Sequence, residues 1–144
     1  MLVTGPVVID WMRQHKGFGH FRGDCPAIGW HDGKSLVAGV GYTDFNGANI
    51  QMHVVATPTK LWLRREFLWA CFDYPFNQCK VRRVTGLVAE DNLEARKFDE
   101  HLGFERETTL RSACPTGDLI VYVMWKESCK WLSMDFSHKH RKAA

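Results

Sequence analysis

Three stretches suited to β-strands, PAIGW, SLVAGVGYTDF and NIQMHVVA, follow one another with only His31-Asp32-Gly33-Lys34 and Asn46-Gly47-Ala48 between them. Asp-Gly and Asn-Gly supply the positive φ that tight turns require, so the three are expected to form an antiparallel meander. After Thr57-Pro58-Thr59 the pattern changes. Leu61, Trp62, Arg65, Phe67, Leu68, Trp69, Cys71 and Phe72 recur at spacings of three and four, the period of an amphipathic helix. A meander that gives way to helical crossovers commits the chain to a mixed sheet.

The flanks complete the order. Ahead of the meander, Thr4-Gly5-Pro6 is a helix-start signal with proline in the first turn, and Val8, Ile9 and Met12 give the helix an apolar face, with Trp11 between them. Gly17 and Gly19 end it, and GHFRGDCP is turn-rich. Beyond the second helix, which Pro75 ends or kinks, VRRVTGLVA suits a strand and NLEARKFDEHL a helix. A strand from Phe104 to about Leu110, a turn at Cys114-Pro115-Thr116-Gly117 and a last strand over Asp118 to Trp125 follow. The expectation is an α+β fold: a mixed, mostly antiparallel sheet of about six strands with helices on both faces. Residues 1–131 are expected to form a single domain, and the basic stretch 132–144 a flexible tail.

Composition excludes several classes. At 144 residues with 45% apolar side chains, six Trp and nine Phe, the chain can bury a real core. A formal charge of +3 gives no reason to expect a nucleic-acid partner. The N-terminus lacks the basic and apolar regions of a signal peptide, and no apolar run approaches a membrane span, so no membrane partner is expected. Five cysteines without a C-x-x-C pair suit reduced thiols in a cytoplasmic setting. No pair has zinc-ligand spacing, the nearest cluster being Cys129, Asp135, His138 and His140 near the chain end, and no metal is expected.

Two helices begin directly after strands, one near Thr59 to Leu61 and one at Asn92. Helix starts present unbonded N–H groups and partial positive charge, so a ligand phosphate or carbonyl can bind there. If the two preceding strands are parallel neighbours, both helix starts lie at one edge of the sheet with a crevice between them. Asn92 is also a good helix cap, which by itself accounts for an Asn at that position.

The run N-L-E-A-R-K-F-D-E-H-L-G-F, from Asn92 to Phe104, resembles the N-x-x-A-x-x-x-x-x-x-x-G-F run of the GNAT superfamily of N-acetyltransferases. Its flanks, FDYPFNQCKVRRVTGLVAEDN and FERETTLRSACPTGDLIVYVMWKES, resemble the ribosomal-protein-acetylating branch. The resemblance covers roughly Cys25 to Trp131; small phage-encoded members are a weaker likeness, and the family's first strand is expected to be missing. It implies the acyl-CoA N-acyltransferase fold, with acetyl-CoA held in a V-shaped split between QMHVVA and RRVTGLVA. By position, backbone groups of Val54, Val55, Ala56 and Thr57 would bind the acetyl and pantetheine parts. The helix start at Lys60, Leu61, Trp62, Leu63, Arg64 and Arg65 would hold the pyrophosphate, and Asn92, Ala95 and Arg96 would line the other wall. Acetyl would pass directly to an amine of a protein N-terminus, a lysine or a small molecule.

Three departures from that pattern bear on function. The family's glycine-rich pyrophosphate loop is Thr59-Lys60-Leu61-Trp62-Leu63-Arg64 here, without glycine, which leaves Lys60, Arg64 and Arg65 to neutralise phosphate or simply to form a solvated helix face. Seven residues after Asn92, where many members place a tyrosine that protonates the leaving thiolate, stands Asp99. No carboxylate stands on NIQMHVVA as a base, and His53 is its one titratable side chain, either a base or a structural histidine. His31, Tyr42 and Asp44 are further candidates near an acceptor. Two functions therefore stand: an acetyltransferase with His53 and Asn92 as catalytic residues, or a catalytically lapsed binding or structural protein, virion-associated if phage-encoded. Trp125, Trp131, Leu132 and Phe136 would either pair two copies in a homodimer or cover their own sheet edge.

Overall fold

The computed structural model describes residues 1–15, 18, 19, 21–59 and 62–140. The meander forms as its turns dictate. Strands β2 (Ala27–His31), β3 (Leu36–Thr43) and β4 (Asn49–Ala56) pair antiparallel in sequence order. Each turn is built by an acidic or amide side chain that folds back on the next backbone amides. Asp32 Oδ1 accepts from Lys34 and Ser35 (2.8 and 3.0 Å), and Asn46 Oδ1 from Ala48 and Asn49 (2.9 and 2.8 Å). The glycines between them, Gly33 and Gly47, sit at φ 103° and 93°, where a side chain would be strained.

Helix α1 (Pro6–Arg13) precedes the meander and α2 (Arg65–Asp73) follows it. A π-helical turn over Tyr74–Gln78, which contains Pro75, extends α2. The chain then runs through β5 (Arg83–Ala89), α3 (Leu93–Leu102), β6 (Glu105–Cys114) and β7 (Gly117–Trp125). With a short first strand β1 (Leu2–Thr4), the sheet order is β1-β2-β3-β4-β5-β7-β6, and β4 with β5 is its parallel pair. This is the expected α+β architecture with one strand more. Strand β1 (Leu2–Thr4) pairs with β2, Leu2 opposite Trp30 and Thr4 opposite Ile28, so the first strand expected to be missing is present. Three residues are too few to show a strand period, which is why the sequence concealed it. Strand β6 likewise runs past Leu110 to Cys114, through a register irregularity with Ser112 at φ 52°.

The two faces are covered differently. Val8, Ile9 and Met12 of α1 bury themselves over Gly39 and Gly41 on one face. On the other face α2 and α3 share a larger core of Tyr42, Phe67, Phe72, Phe76, Leu102 and Tyr122. After β7, two short 3₁₀ turns (Lys126–Ser128 and Lys130–Ser133) lead to a helical turn α4 (Ser137–His140). Trp131, Leu132 and Phe136 pack against the second core, and the Trp131 indole N–H donates to the Leu102 carbonyl at 2.8 Å. Among the described residues no helix is long and apolar enough to cross a membrane.

The close seating of α1 is specific to glycine at position 39. A Cβ there would fall 2.8 Å from Met12 Cγ and 3.1 Å from Val8 Cγ1. Gly39→Ala is therefore expected to cost about 1–3 kcal/mol in urea denaturation. Combining it with Met12→Ala should recover part of that loss, giving non-additivity in a double-mutant cycle.

Candidate active site

The site begins with a strand pair that comes apart. Strands β4 and β5 register only at Asn49 with Arg83, Ile50 with Val84 and Gln51 with Thr85. Past that point each keeps its other partner: β4 stays on β3 as far as Ala56, and β5 stays on β7 as far as Ala89. A V-shaped gap must open between Met52–Ala56 on one side and Gly86–Ala89 on the other.

The β3 pairing decides which backbone groups face that gap. The Thr57 amide donates to the Val37 carbonyl at 2.9 Å, which fixes the phase of the ladder. In an antiparallel pair alternate residues turn their N–H and C=O to the same neighbour. Val55 and Thr57 thus spend theirs on β3, while Val54 and Ala56 turn theirs toward the gap. Thr57 Oγ1 also donates to Val37, at 3.2 Å. Of the four residues expected along this wall, Val54 and Ala56 are the ones with backbone groups to offer.

The opposite wall is the corner from β5 into α3. Asn92 is exposed and caps its helix, Oδ1 accepting from the Ala95 amide at 3.2 Å. Ala95 is half-buried against the core, and Arg96 turns back so that Nη1 donates to the Glu90 carbonyl at 3.0 Å. Arg96 lies beside the buried Tyr122 hydroxyl, and among the described residues neither Arg96 Nε nor that hydroxyl has a partner in hydrogen-bond geometry.

The second helix start differs from expectation. Helix α2 begins at Arg65 rather than near Thr59 to Leu61; Lys60 and Leu61 themselves lie outside the described residues. Arg64 is extended (φ −103°, ψ 137°), and its amide donates to the Trp62 carbonyl at 2.7 Å. The cause is Trp62. Its ring is buried and meets Phe98 of α3 edge-on, with centroids 4.9 Å apart, so burying the indole draws this segment out of helical geometry and across to the other wall. Leu63, Arg64 and Arg65 remain exposed at the helix start.

Two titratable groups flank the point where the strands part. On the α1 face His53, two residues past Gln51, shares a 2.7 Å hydrogen bond with Thr43 Oγ1 and packs edge-on to Phe21, centroids 4.8 Å apart. It lines a cleft of about 530 Å³ with Phe21, Asp24, Thr43, Asp44 and Phe45. Tyr42 also borders the cleft, but its hydroxyl is committed to the Cys71 carbonyl; His31 lies at the far end of β2, where its Nδ1 accepts from Gly33. On the opposite face Asp99 lies against Gly86, the first β5 residue beyond the last parallel pair. Its Oδ2 is 3.3 Å from where a Cβ on Gly86 would be. Burial pushes the Asp99 carboxyl up to about 7, with a smaller push from Glu100.

Sequence reasoning named His53 and Asp99 but missed Gly86 and Thr43. Gly86 had a visible signal, a glycine inside a strand, which often marks close approach by another group. Thr43 had none, because it matters only through its cross-strand neighbour. Among the described residues, no three His, Cys, Asp and Glu side chains converge in a way suited to a metal ion.

The arrangement defines a class of protein by its fold. The spermidine N-acetyltransferase of Vibrio cholerae, solved with CoA and spermine, superposes with a TM-score of 0.69 at 14% identity, covering 89% of this chain and 96% of that one. A chimera of that enzyme with hSSAT gives a TM-score of 0.71 at 15% identity, covering 93% and 99%. The ribosomal-protein-S5-alanine acetyltransferase of Vibrio fischeri gives 0.60 at 15% identity over 74% and 64%. No protein-family model and no curated protein matches the chain. The fold is therefore that of the GNAT N-acetyltransferases, established by three-dimensional likeness where sequence similarity is low.

The half-buried Asp99 carboxyl sets a pH signature. Unfolded, Asp99 loses its proton around 3.8, and folded around 7. Between those values the folded chain holds more protons, so stability falls as pH rises through the window and levels off above it. Asp99→Asn lacks that slope. Its stability relative to wild type is expected to rise from about pH 4 to about pH 7, by up to roughly 4 kcal/mol. Urea unfolding at about pH 5 and about pH 8 checks this; an equal difference at both would mean that the carboxyl titrates normally.

Proposed function

We propose that the chain is an N-acetyltransferase that takes acetyl from acetyl-CoA and passes it directly to an amine. The observation that carries the proposal is the parting of β4 from β5 after Gln51 while both outer pairings persist. The walls suit an acyl-CoA. Val54 and Ala56 would offer backbone N–H and C=O to the acyl and pantetheine parts, and a backbone N–H there would stabilise an oxyanion. The exposed guanidinium groups of Arg64 and Arg65, beside the start of α2, would neutralise phosphate. Asn92 and Ala95 would line the α3 side. Acetyl-CoA supplies the activated acyl group; the chain's part is to orient it, exclude water and handle protons. His53 would take the proton of the incoming amine, held in orientation by Thr43.

The acceptor is a primary amine that enters from the α1 face. The cleft there combines Phe21 and Phe45 with Asp24 and Asp44, and Asp24 pairs with Arg22 at 2.8 Å. The superposed spermidine N-acetyltransferase, solved with spermine, makes a small aliphatic amine a reasonable first acceptor to try.

A second reading is favoured by Trp62. Where the family's first loop glycine would let phosphate approach the backbone, this chain buries an indole against Phe98. A protein that had kept the fold but lost donor binding would tolerate that change.

Acetyl-CoA separates the two. A ligand that binds only the folded state raises its melting temperature by mass action. Millimolar acetyl-CoA is expected to give a clear upward shift, and no shift in folded protein would favour the lapsed reading. Arg64→Glu is expected to weaken the affinity measured by calorimetry about tenfold, close to 1.4 kcal/mol; unchanged affinity would remove Arg64 from the site.

A further inference from the structure

A second cavity lies outside the split, where the segment after β7 crosses the start of α2. It measures about 300 Å³ and is lined by Arg65 of α2 and by Lys130, Trp131, Ser133 and Met134 of that segment. The segment is fastened at two points. The Trp131 indole donates to the Leu102 carbonyl at 2.8 Å, and the Phe136 ring lies 5.9 Å from the Trp69 ring of α2. The walls of the cavity are therefore held from both sides, and its size is that of a small-molecule site.

Its chemistry is one-sided. Two cations line it, and no carboxylate is among the described lining residues. Neither cation forms an ion pair with any described residue. Arg65 Nη1 donates to Met134 Sδ at 3.3 Å, and a thioether is a weak acceptor. Lys130 Nζ lies 4.7 Å from the centre of the Trp131 ring. Glu66 and Asp135 adjoin the lining residues in sequence without bordering the cavity. An exposed cation over a ring stabilises a fold only slightly, so fastening the segment does not account for the arrangement.

We propose that this pocket binds a nucleoside phosphate, with the phosphoryl oxygens on Arg65 and Lys130 and the base against the Trp131 ring. Guanidinium and ammonium groups suit phosphate, and an aromatic side chain takes a base by stacking. The Ser133 hydroxyl, which donates to the Lys130 carbonyl at 2.7 Å, adds a polar group to the wall. Arg65 is the one residue the pocket shares with the walls of the split. The ligand is therefore either a free nucleotide or the nucleotide end of acyl-CoA. In the second case the C-terminal segment grips the donor in a chain that lacks the glycine loop. The pocket itself does not depend on acetyl transfer.

Calorimetry on the full chain tests the assignment, with AMP, ADP, inorganic phosphate and acetyl-CoA as titrants. The nucleotides are expected to bind, less tightly as salt is raised, and inorganic phosphate about tenfold more weakly than AMP. Lys130→Glu, at an exposed position outside the split, should weaken nucleotide binding about tenfold at an unchanged melting temperature. ADP is then titrated onto protein saturated with acetyl-CoA. Exclusion of ADP identifies the nucleotide end of the donor as the ligand, and undiminished binding identifies a free nucleotide; either keeps the pocket. No nucleotide binding by wild type, equal affinity in Lys130→Glu, or phosphate held as tightly as AMP would each overturn the proposal. Failure of acetyl-CoA alone, with AMP still held through Lys130, would sink the acetyl-transfer reading and leave this pocket standing.

Discussion

The structure depends on a strand pair that holds for three residues and then lets go. Strands β4 and β5 begin side by side, each firmly bonded on its outer side, to β3 and β7. Unpaired backbone groups inside a protein cost free energy unless something else satisfies them. A sheet that opens along its middle leaves backbone groups for solvent or a ligand to satisfy. Helices α2 and α3 start at the open end, and Trp62 and Phe98 touch across it. The faces on either side of the split differ chemically, His53 on one and Asp99 on the other.

Local rules were visible in the sequence, and contacts between distant segments were not. The meander was legible because Asp32-Gly33 and Asn46-Gly47 encode their turns within four residues. The cap at Asn92 and the left-handed Gly103 that ends α3 were legible for the same reason. Strand β1 was hidden because its three residues earn their structure only by lying against β2. The start of α2 was misplaced because Leu61 and Trp62 continue the helical period. Burial of Trp62 against a residue thirty-six positions further on overrides that local preference. For the site, the pattern supplied His53 and Asp99 as residue types at suggestive positions. It could not supply the alternation that leaves Val54 and Ala56 facing the cleft while Val55 and Thr57 serve β3.

The chemistry of the two faces follows from how each is covered. On the α1 side glycines at 39 and 41 let the helix settle close to the meander, and the cleft at His53 opens at its margin, among aromatic and acidic side chains. On the α2–α3 side Asp99 is half-buried, and that burial raises its carboxyl above the usual range. One sheet thus gives two environments within a residue or two of the same fork.

The bond from the Trp131 indole to the Leu102 carbonyl has a consequence for biosynthesis. Helix α3, which carries Asp99 and is capped by Asn92, is pinned at its far end by a residue twenty-nine positions later. A ribosome releases the chain in order, so during translation that wall of the cleft is made well before its clasp emerges. The nascent protein passes through an interval in which its sheet has begun to assemble but the C-terminal end of α3 is still unfastened.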